Sequence, residues 1–408
     1  MKILFVHQNF PAQYRWLAQT LAADKDWQVM ALGEAGNVKR RGKLPGVNTA
    51  GYAAPQPASP QTHHYVKPLE AAVRRGQAVV RACMELKKRG FVPDLVYAHP
   101  GWGEALFLRD VYPDARLTLY CEFYYRATGR DVGFDPEFPA SLDDIFRVRI
   151  KNAASILSLE AADAGISPTR WQRDAFPAEY RDRIALVHEG VDTTVVKPDA
   201  RAELAIPKGP KLTARDEVVT YIARNLEPYR GFHIFMRSLP EILRRRPKAH
   251  VVVVGADGVS YGQSPPKGLT YRRKYLDEIG KGVDLERVHF LGQVPYDTLL
   301  KVYQVSKAHV YLTYPFVLSW SLLESMAAGC AVVASRTPPV EEVVVDRENG
   351  YLVDFFKPGK IAELVNELLE RPQDTTEVRE RARRTIVERY DLKTICLPRQ
   401  IELVKNSS

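Results

Sequence analysis

Short runs of Val, Ile and Leu recur along this chain, with stretches of helical periodicity between them. KILFVH, WQVMALG, DLVYAH, RLTLYCEF, SILSLE and IALVHEG form one series; EVVTYIA, HVVVVG, VHFLG, HVYLT, AVVAS and GYLVD form a second. An apolar run without alternation is what a strand covered on both faces requires. Strands alternating with helices imply right-handed βαβ crossovers and a mostly parallel sheet. The pattern occurs twice, and 408 residues exceed one ordinary core. The expected architecture is α/β, with two doubly wound domains at 1–192 and 217–385. Residues 193–216, rich in proline and charge with little periodicity, read as the linker. The amphipathic tail, 386–408, is expected to pack across the domain junction. Open sheets of this kind bind ligands beyond the carboxyl ends of their strands, so two of them are expected to face each other across a cleft.

Composition narrows the class. With 45% hydrophobic and 26% charged residues the chain reads as soluble and globular. It has no run of eighteen apolar residues, and MKILFVHQNF reads as a first strand rather than a leader peptide. Cys83, Cys121, Cys330 and Cys396 are far apart in apolar runs, as expected of buried free thiols in a reducing, cytoplasmic setting. No Cys/His spacing suggests a metal. The net charge of +9 points to an anionic partner. Lys39-Arg40-Arg41 and Arg74-Arg75 would suit weak peripheral contact with the inner face of the cell membrane, whereas basic clusters without interleaved aromatics argue against nucleic acid.

Several chemically informative residues fall just after the second-series runs. Arg224 and Arg230 follow EVVTYIA, and guanidinium groups suit phosphate oxygens. Gly255 ends HVVVVG and Gly258 follows it, where small residues let backbone approach a ligand. Val294 follows VHFLG. After HVYLT, the segment Ser319-Trp320-Ser321 offers helix N-terminal N–H groups to a phosphate. Ser321-x-x-Glu324 also fits a capping box, which by itself would account for Glu324.

These segments resemble the donor-binding domain of family-4 retaining glycosyltransferases, which have the GT-B fold. Arg224-x5-Arg230-Gly231 is similar to their (G)R-x5-KG motif, and LLESMAAGCAVVAS to LLEAMACGxPVVAS. HEGVDTTVVKPD, at 188–199, is similar to the NGVDxxxFxP that ends their first domain. The resemblance spans nearly the whole chain and is weakest over about 40–75. It implies that Glu324 holds the ribose hydroxyls of a nucleotide sugar and that Arg224 and Arg230 hold its diphosphate. It also implies that Val294 meets the base through backbone groups, and that Gly255 lies near the donor. The family's Glu-x7-Glu pair is broken: Phe316 stands eight residues before Glu324, as in a bacterial subgroup that carries this substitution.

The first half is expected to receive the acceptor. It has no GxGxxG, which disfavours a dehydrogenase. His99 ends DLVYAH and Glu122 lies near the end of RLTLYCEF; the family often carries a His near the latter position. Both are candidates for contact with the reacting sugar. The structural alternatives are a hydrogen-bonded strand-end histidine and a carboxylate buried against Arg126 or Arg130. The expected reaction moves a glycosyl group from a nucleoside diphosphate sugar to a hydroxyl of a glycan or lipid-linked acceptor. The resemblance implies retention at the anomeric carbon, without a metal or resident cofactor, in polysaccharide or glycoconjugate synthesis. The rival readings are a GT-B epimerase and a catalytically silent glycan-binding module.

Overall fold

A computed structural model of the chain describes residues 1–406. It divides into two compact units: Met1–Gly190 together with the chain from Lys393 onward, and Val191–Leu392.

In the first unit the strands are β1 (Lys2–Val6), β2 (Gln28–Glu34), β3 (Asn48–Tyr52), β4 (Leu95–Ala98), β5 (Arg116–Tyr120), β6 (Ala164–Ser167) and β7 (Ile184–Leu186). They pair in parallel in the spatial order β3-β2-β1-β4-β5-β6-β7. The order reverses direction between β1 and β4, so the loops leaving these two strands part and open a crevice there.

Five of the six expected runs in this half are strands; SILSLE is not. It lies in the helix Ala153–Ala161, whose only β-branched residue is Ile156 among strong helix formers. Two strands escaped notice because neither is an apolar run. β3, NTAGY, is an edge strand. β6, AGIS, uses small residues for close packing: a Cβ at Gly165 would lie 2.8 Å from the Cys121 sulfur and 2.9 Å from Ile184.

In the second unit β8 (Glu203–Ala205) and β9 (Lys211–Thr213) form an antiparallel hairpin. The parallel sheet comprises β10 (Val218–Asn225), β11 (His250–Ala256), β12 (Val288–Gly292), β13 (Ala308–Tyr311), β14 (Val332–Ser335) and β15 (Tyr351–Val353), in the order β12-β11-β10-β13-β14-β15. All six expected runs are strands, and the reversal falls between β10 and β13. The segment expected to be a linker is instead built into this unit. Leu204 pairs with Leu212 across the hairpin, and both join Val196 and Ile206 in the buried core. Its alternation was too short to register as periodicity.

The tail returns to the first unit. Leu397, Ile401 and Leu403 pack on a core that contains buried Val404, Leu17 and Leu21. All four cysteines are buried free thiols.

Candidate functional site

In the second unit the strand order reverses where β10 and β13 end, and the candidate residues gather there. After β10 the chain makes a 3-10 turn, Pro228–Arg230, and enters the helix Phe232–Arg245 through Gly231. Gly231 has φ +67°, and a Cβ there would sit 2.3 Å from Leu312 Cβ. Only glycine fits such a left-handed and crowded position. The turn aims Arg230 across the reversal point. Its Nη1 donates to Thr313 Oγ1 and to the Val317 carbonyl, both at 3.0 Å. The Tyr311 phenol also takes a hydrogen bond from this guanidinium. The guanidinium is thus anchored beside the reversal point, and such a group suits phosphate oxygens. Arg224 is exposed at the end of β10 and makes no hydrogen bond or ion pair among the described residues. The two arginines share a strand exit, and of the two Arg230 is the one anchored.

The loop that Arg230 grips leads into the helix Trp320–Ala327. The capping box expected at Ser321 and Glu324 is not formed. The helix starts two residues earlier, with Ser319 as its N-cap: its hydroxyl accepts from the Ser321 N–H at 3.4 Å, and its own N–H donates to Tyr311 Oη at 2.9 Å. Glu324 then lies a turn too far along to reach back to the cap. Its carboxylate faces two phenols instead. Tyr296 donates to Oε1 at 2.9 Å, and Tyr303 donates to Oε2 at 3.2 Å. Burial pushes the Glu324 carboxyl above the usual glutamate range, while these two hydrogen bonds pull against the rise. Val294 is half-buried on the second core, two residues before Tyr296, so the exit from β12 is tied to Glu324 as well. Trp320 is 45% exposed at the helix start, and Ser321 is buried beneath it.

Glycines 255 and 258 close the other side. A Cβ at Gly255 would lie 2.8 Å from the Ala223 carbonyl oxygen, and one at Gly258 would lie 3.1 Å from Asn225 Oδ1. Phe316 is buried among aromatic rings, with centroids 5.5 Å from Tyr229 and 4.6 Å from Tyr261. Four residues of this cluster were not singled out in the sequence: Glu227, Tyr261, Tyr296 and Tyr303. Glu227 and Tyr296 lie beside residues that were, and their proximity to Arg230 and Val294 was the available signal.

In the first unit the reversal point is lined by histidines. His7 follows β1 and His99 follows β4, their rings 5.2 Å apart and nearly perpendicular. Each accepts a backbone N–H at Nδ1: His7 from Asn9 at 2.8 Å, His99 from Gly101 at 3.0 Å. In the neutral ring this leaves the proton on Nε2. His99 Nε2 lies 3.3 Å from Glu122 Oε2, off the line of a good hydrogen bond. The ring stacks on Trp102 at 4.3 Å. Burial, and then the neighbouring His99, hold His7 well below its usual range.

Glu122 also receives Gln13 Nε2 at 3.3 Å. It is not the buried partner of Arg126 or Arg130. Those arginines donate to the carbonyls of Ala175 and Trp171, at 2.7 and 3.1 Å. Beneath the histidines Glu104 is fully buried, accepting from the Gln8 N–H and from Tyr52 Oη. Burial raises its carboxyl above the ordinary range.

The expected basic patch is smaller than its sequence. Arg74 pairs with Glu70, and Arg75 with Glu34 at 2.7 Å, which leaves Lys39, Arg40 and Arg41 exposed at the end of the helix Ala35–Arg41. Among the described residues no helix is long and apolar enough to cross a membrane. No cluster of three His, Cys, Asp or Glu among them suits a metal ion.

Residues 25–196 match the Glycosyl transferase family 4 group, and residues 205–385 match Glycosyl transferases group 1. The D-inositol 3-phosphate glycosyltransferase of Corynebacterium efficiens is 29% identical over 205 residues, which cover 48% of this chain and 45% of that protein. The same-named protein of Mycobacterium sp. strain KMS is 30% identical over 189 residues, 46% of this chain and 40% of that one. The aligned segment thus spans about half the length of these relatives or less. Among solved structures, Anabaena HepE in complex with UDP superposes with a TM-score of 0.68 at 17% identity, covering all of both chains. Sucrose-phosphate synthase from Thermosynechococcus elongatus does so with a TM-score of 0.73 at 18% identity, again covering all of both chains. At these identities the likeness establishes the fold, two parallel-sheet Rossmann-like domains of GT-B type.

Proposed function

We propose that this chain, built of a glycosyltransferase family 4 N-terminal domain and a glycosyltransferase group 1 domain, transfers a sugar from a nucleoside diphosphate sugar to an acceptor hydroxyl with retention of configuration. The observation that carries the reading is the pairing of Arg230 with Glu324 through one loop at the β10/β13 reversal: a guanidinium anchored to Thr313 and Val317, and a carboxylate oriented by two phenols. Two of the carboxylate's roughly four acceptor positions are taken by those phenols; the other two suit a ribose diol. The binding of UDP by a protein of the same fold supports the donor class.

In this mechanism the bond between the anomeric carbon and the leaving phosphate oxygen breaks first, giving oxocarbenium character. The acceptor oxygen bonds to the same face of that carbon, and its proton passes to the departing phosphate. Arg230, with Arg224 and the helix N-terminus after Ser319, offsets the growing charge on the diphosphate, and no metal is required. Val294 and Gly255 would border the base and donor. His99 offers Nε2–H and Glu122 an adjacent carboxylate toward the reacting sugar. A glycan or lipid-linked acceptor in polysaccharide or glycoconjugate synthesis is the expected partner, reached at the inner membrane face through weak contact by Lys39–Arg41.

Incubation of the protein with UDP-, GDP- and ADP-sugars tests the reading. Transfer, or slow hydrolysis with retention, is the expected result. Isomerised sugar would instead indicate an epimerase, and binding without turnover a silent module.

A further inference from the structure

We infer that Glu227 and Tyr261 are positioning residues of the donor site: Glu227 staples the loop after β11 so that the Tyr261 ring stands against Phe316 and the Arg230 guanidinium. The inference rests on the donor reading above.

Glu227 lies between the two arginines in sequence and is completely buried. One oxygen, Oε2, accepts both the Ser260 N–H at 2.7 Å and the Tyr261 N–H at 2.9 Å. The other, Oε1, is buried without a hydrogen bond. No Lys, Arg or His lies within ion-pair distance of this carboxylate among the described residues. Arg230 and Arg224 act on it only at longer range. Burying an ionisable group is costly unless pairing or hydrogen bonds satisfy it. Here it fixes two consecutive backbone N–H groups of a loop that is also held by Asn225 Nδ2 to Ser260 Oγ at 2.6 Å, by Tyr271 Oη to the Gln263 carbonyl at 2.7 Å and by the Asp257–Arg272 ion pair at 2.7 Å.

The consequence is the placement of Tyr261. Its ring centroid lies 4.6 Å from that of Phe316 and 6.0 Å from that of Tyr229. The Arg230 guanidinium carbon lies 5.8 Å from the Tyr261 ring and 5.9 Å from the Phe316 ring. Gly262 follows with φ +78°, and a Cβ there would meet the Tyr229 ring at 2.9 Å. The loop therefore cannot approach the aromatic group with a larger residue at this point. Arg230 is consequently held on two sides: by Thr313 and Val317 at Nη1, and by aromatic faces flanking the guanidinium. Phe316, which occupies the place of a carboxylate in the related motif, forms one wall of this seat, while the nearby carboxylate, Glu227, acts on the opposite loop.

The test compares Glu227→Ala, Glu227→Gln, Tyr261→Ala and the double alanine variant by UDP titration, thermal melting, and separate kcat and KM for the active donor sugar. Glu227→Ala and Tyr261→Ala are each expected to raise the UDP Kd about tenfold or more, with the double variant no worse than the weaker single, because both act through one loop. Glu227→Gln, whose amide oxygen accepts the same two N–H groups, is expected to recover most of the affinity. If Glu227→Ala fails to fold, Tyr261→Ala and Glu227→Gln carry the test. Wild-type binding of UDP that is unchanged in Tyr261→Ala, or additive losses in the double variant, overturns the inference and leaves the donor reading intact. Failure of the wild type to bind UDP, GDP or ADP overturns both.

Discussion

Glu324→Gln isolates the charge of the carboxylate that faces Tyr296 and Tyr303. Glutamine has the same shape. Its amide oxygen can accept from one phenol, and its NH2 can donate to the other phenol's oxygen, so the packing around the helix Trp320–Ala327 should survive. The ligand side changes more. The carboxylate retains one acceptor position on each oxygen after the phenols at 2.9 and 3.2 Å are counted. In the amide, one of these becomes a donor and the other loses its charge. Hydrogen bonds to charged groups contribute about 1.5–3 kcal/mol and neutral ones about 0.5–1.5. The expected loss in nucleotide binding is therefore about 1–3 kcal/mol, a rise in Kd of roughly 5- to 150-fold.

The pH dependence supplies an independent check. Burial raises the Glu324 carboxyl, so protonation and loss of affinity should begin above the usual glutamate range as pH falls. Glu324→Gln should lack that component once the titration of UDP itself is subtracted. Calorimetric titration with UDP between neutral and mildly acid pH, alongside thermal melting, measures both. A variant that binds UDP within about twofold of a binding-competent wild type would refute the reasoning. If that variant also melted early, Glu324 would be a lock for Tyr296 and Tyr303 and nothing more.

Four further outcomes are expected. Arg230→Ala should lower turnover on the order of 10²–10³ with little change in unfolding free energy; near-normal rates would remove it from the diphosphate seat, and abolition of wild-type transfer by a chelator would remove the metal-free scheme. Gly231→Ala should destabilise the second unit by about 2–5 kcal/mol, from a left-handed φ and a Cβ pressed onto Leu312; an unchanged urea midpoint would contradict the geometry. His309 is completely buried, with Nδ1 2.8 Å from Thr220 Oγ1, and burial lowers its pKa to about 3. Its stabilising contribution is therefore present above the unfolded value near 6.5 and lost as pH falls toward 3, up to roughly 2–3 kcal/mol between pH 6.5 and 4.5; urea unfolding of His309→Gln should show a shallower acid loss than wild type, and equal slopes would refute it. Alanines at Lys39, Arg40 and Arg41 should abolish low-salt co-sedimentation with anionic vesicles, each basic residue contributing about 1 kcal/mol; binding that persists in the triple variant would discard the patch.

The second sheet was legible because every strand in it is an apolar run of Val, Leu or Tyr. Most of those strands, such as β13 and β14, are buried on both faces, so burial and sequence carry the same signal. The first sheet was less so: β6 depends on Gly165 for close approach to Cys121 and Ile184, and small residues leave no hydrophobic trace. SILSLE erred the other way, since a short apolar run does not distinguish a strand from a buried helix face. At the candidate site, motif spacing singled out Arg230 and Glu324 but misread how Glu324 is held, because the choice between Ser319 and Ser321 as N-cap is made by tertiary contacts such as Tyr311 Oη. His99 and Glu122, separated by 23 positions' worth of strand, loop and helix, meet only through the pairing of β4 with β5. Glu227 gave no signal of its own: its role depends on two backbone N–H groups more than thirty residues away.

The return of the tail to the first unit has a bearing on how the chain is made. Leu397, Ile401 and Val404 belong to the same core as Leu17 and Leu21, so synthesis delivers these pieces of that core before and after the whole of the second unit. The second unit, Val191–Leu392, is by contrast contiguous and emerges whole. On the ribosome the usual N-terminal-first order is then inverted in its final step: the later half can reach its finished state while the earlier half still lacks a helix. Emergence of the helix Leu397–Lys405, rather than completion of the first sheet, would mark the moment at which the apolar surface around Leu17 is covered.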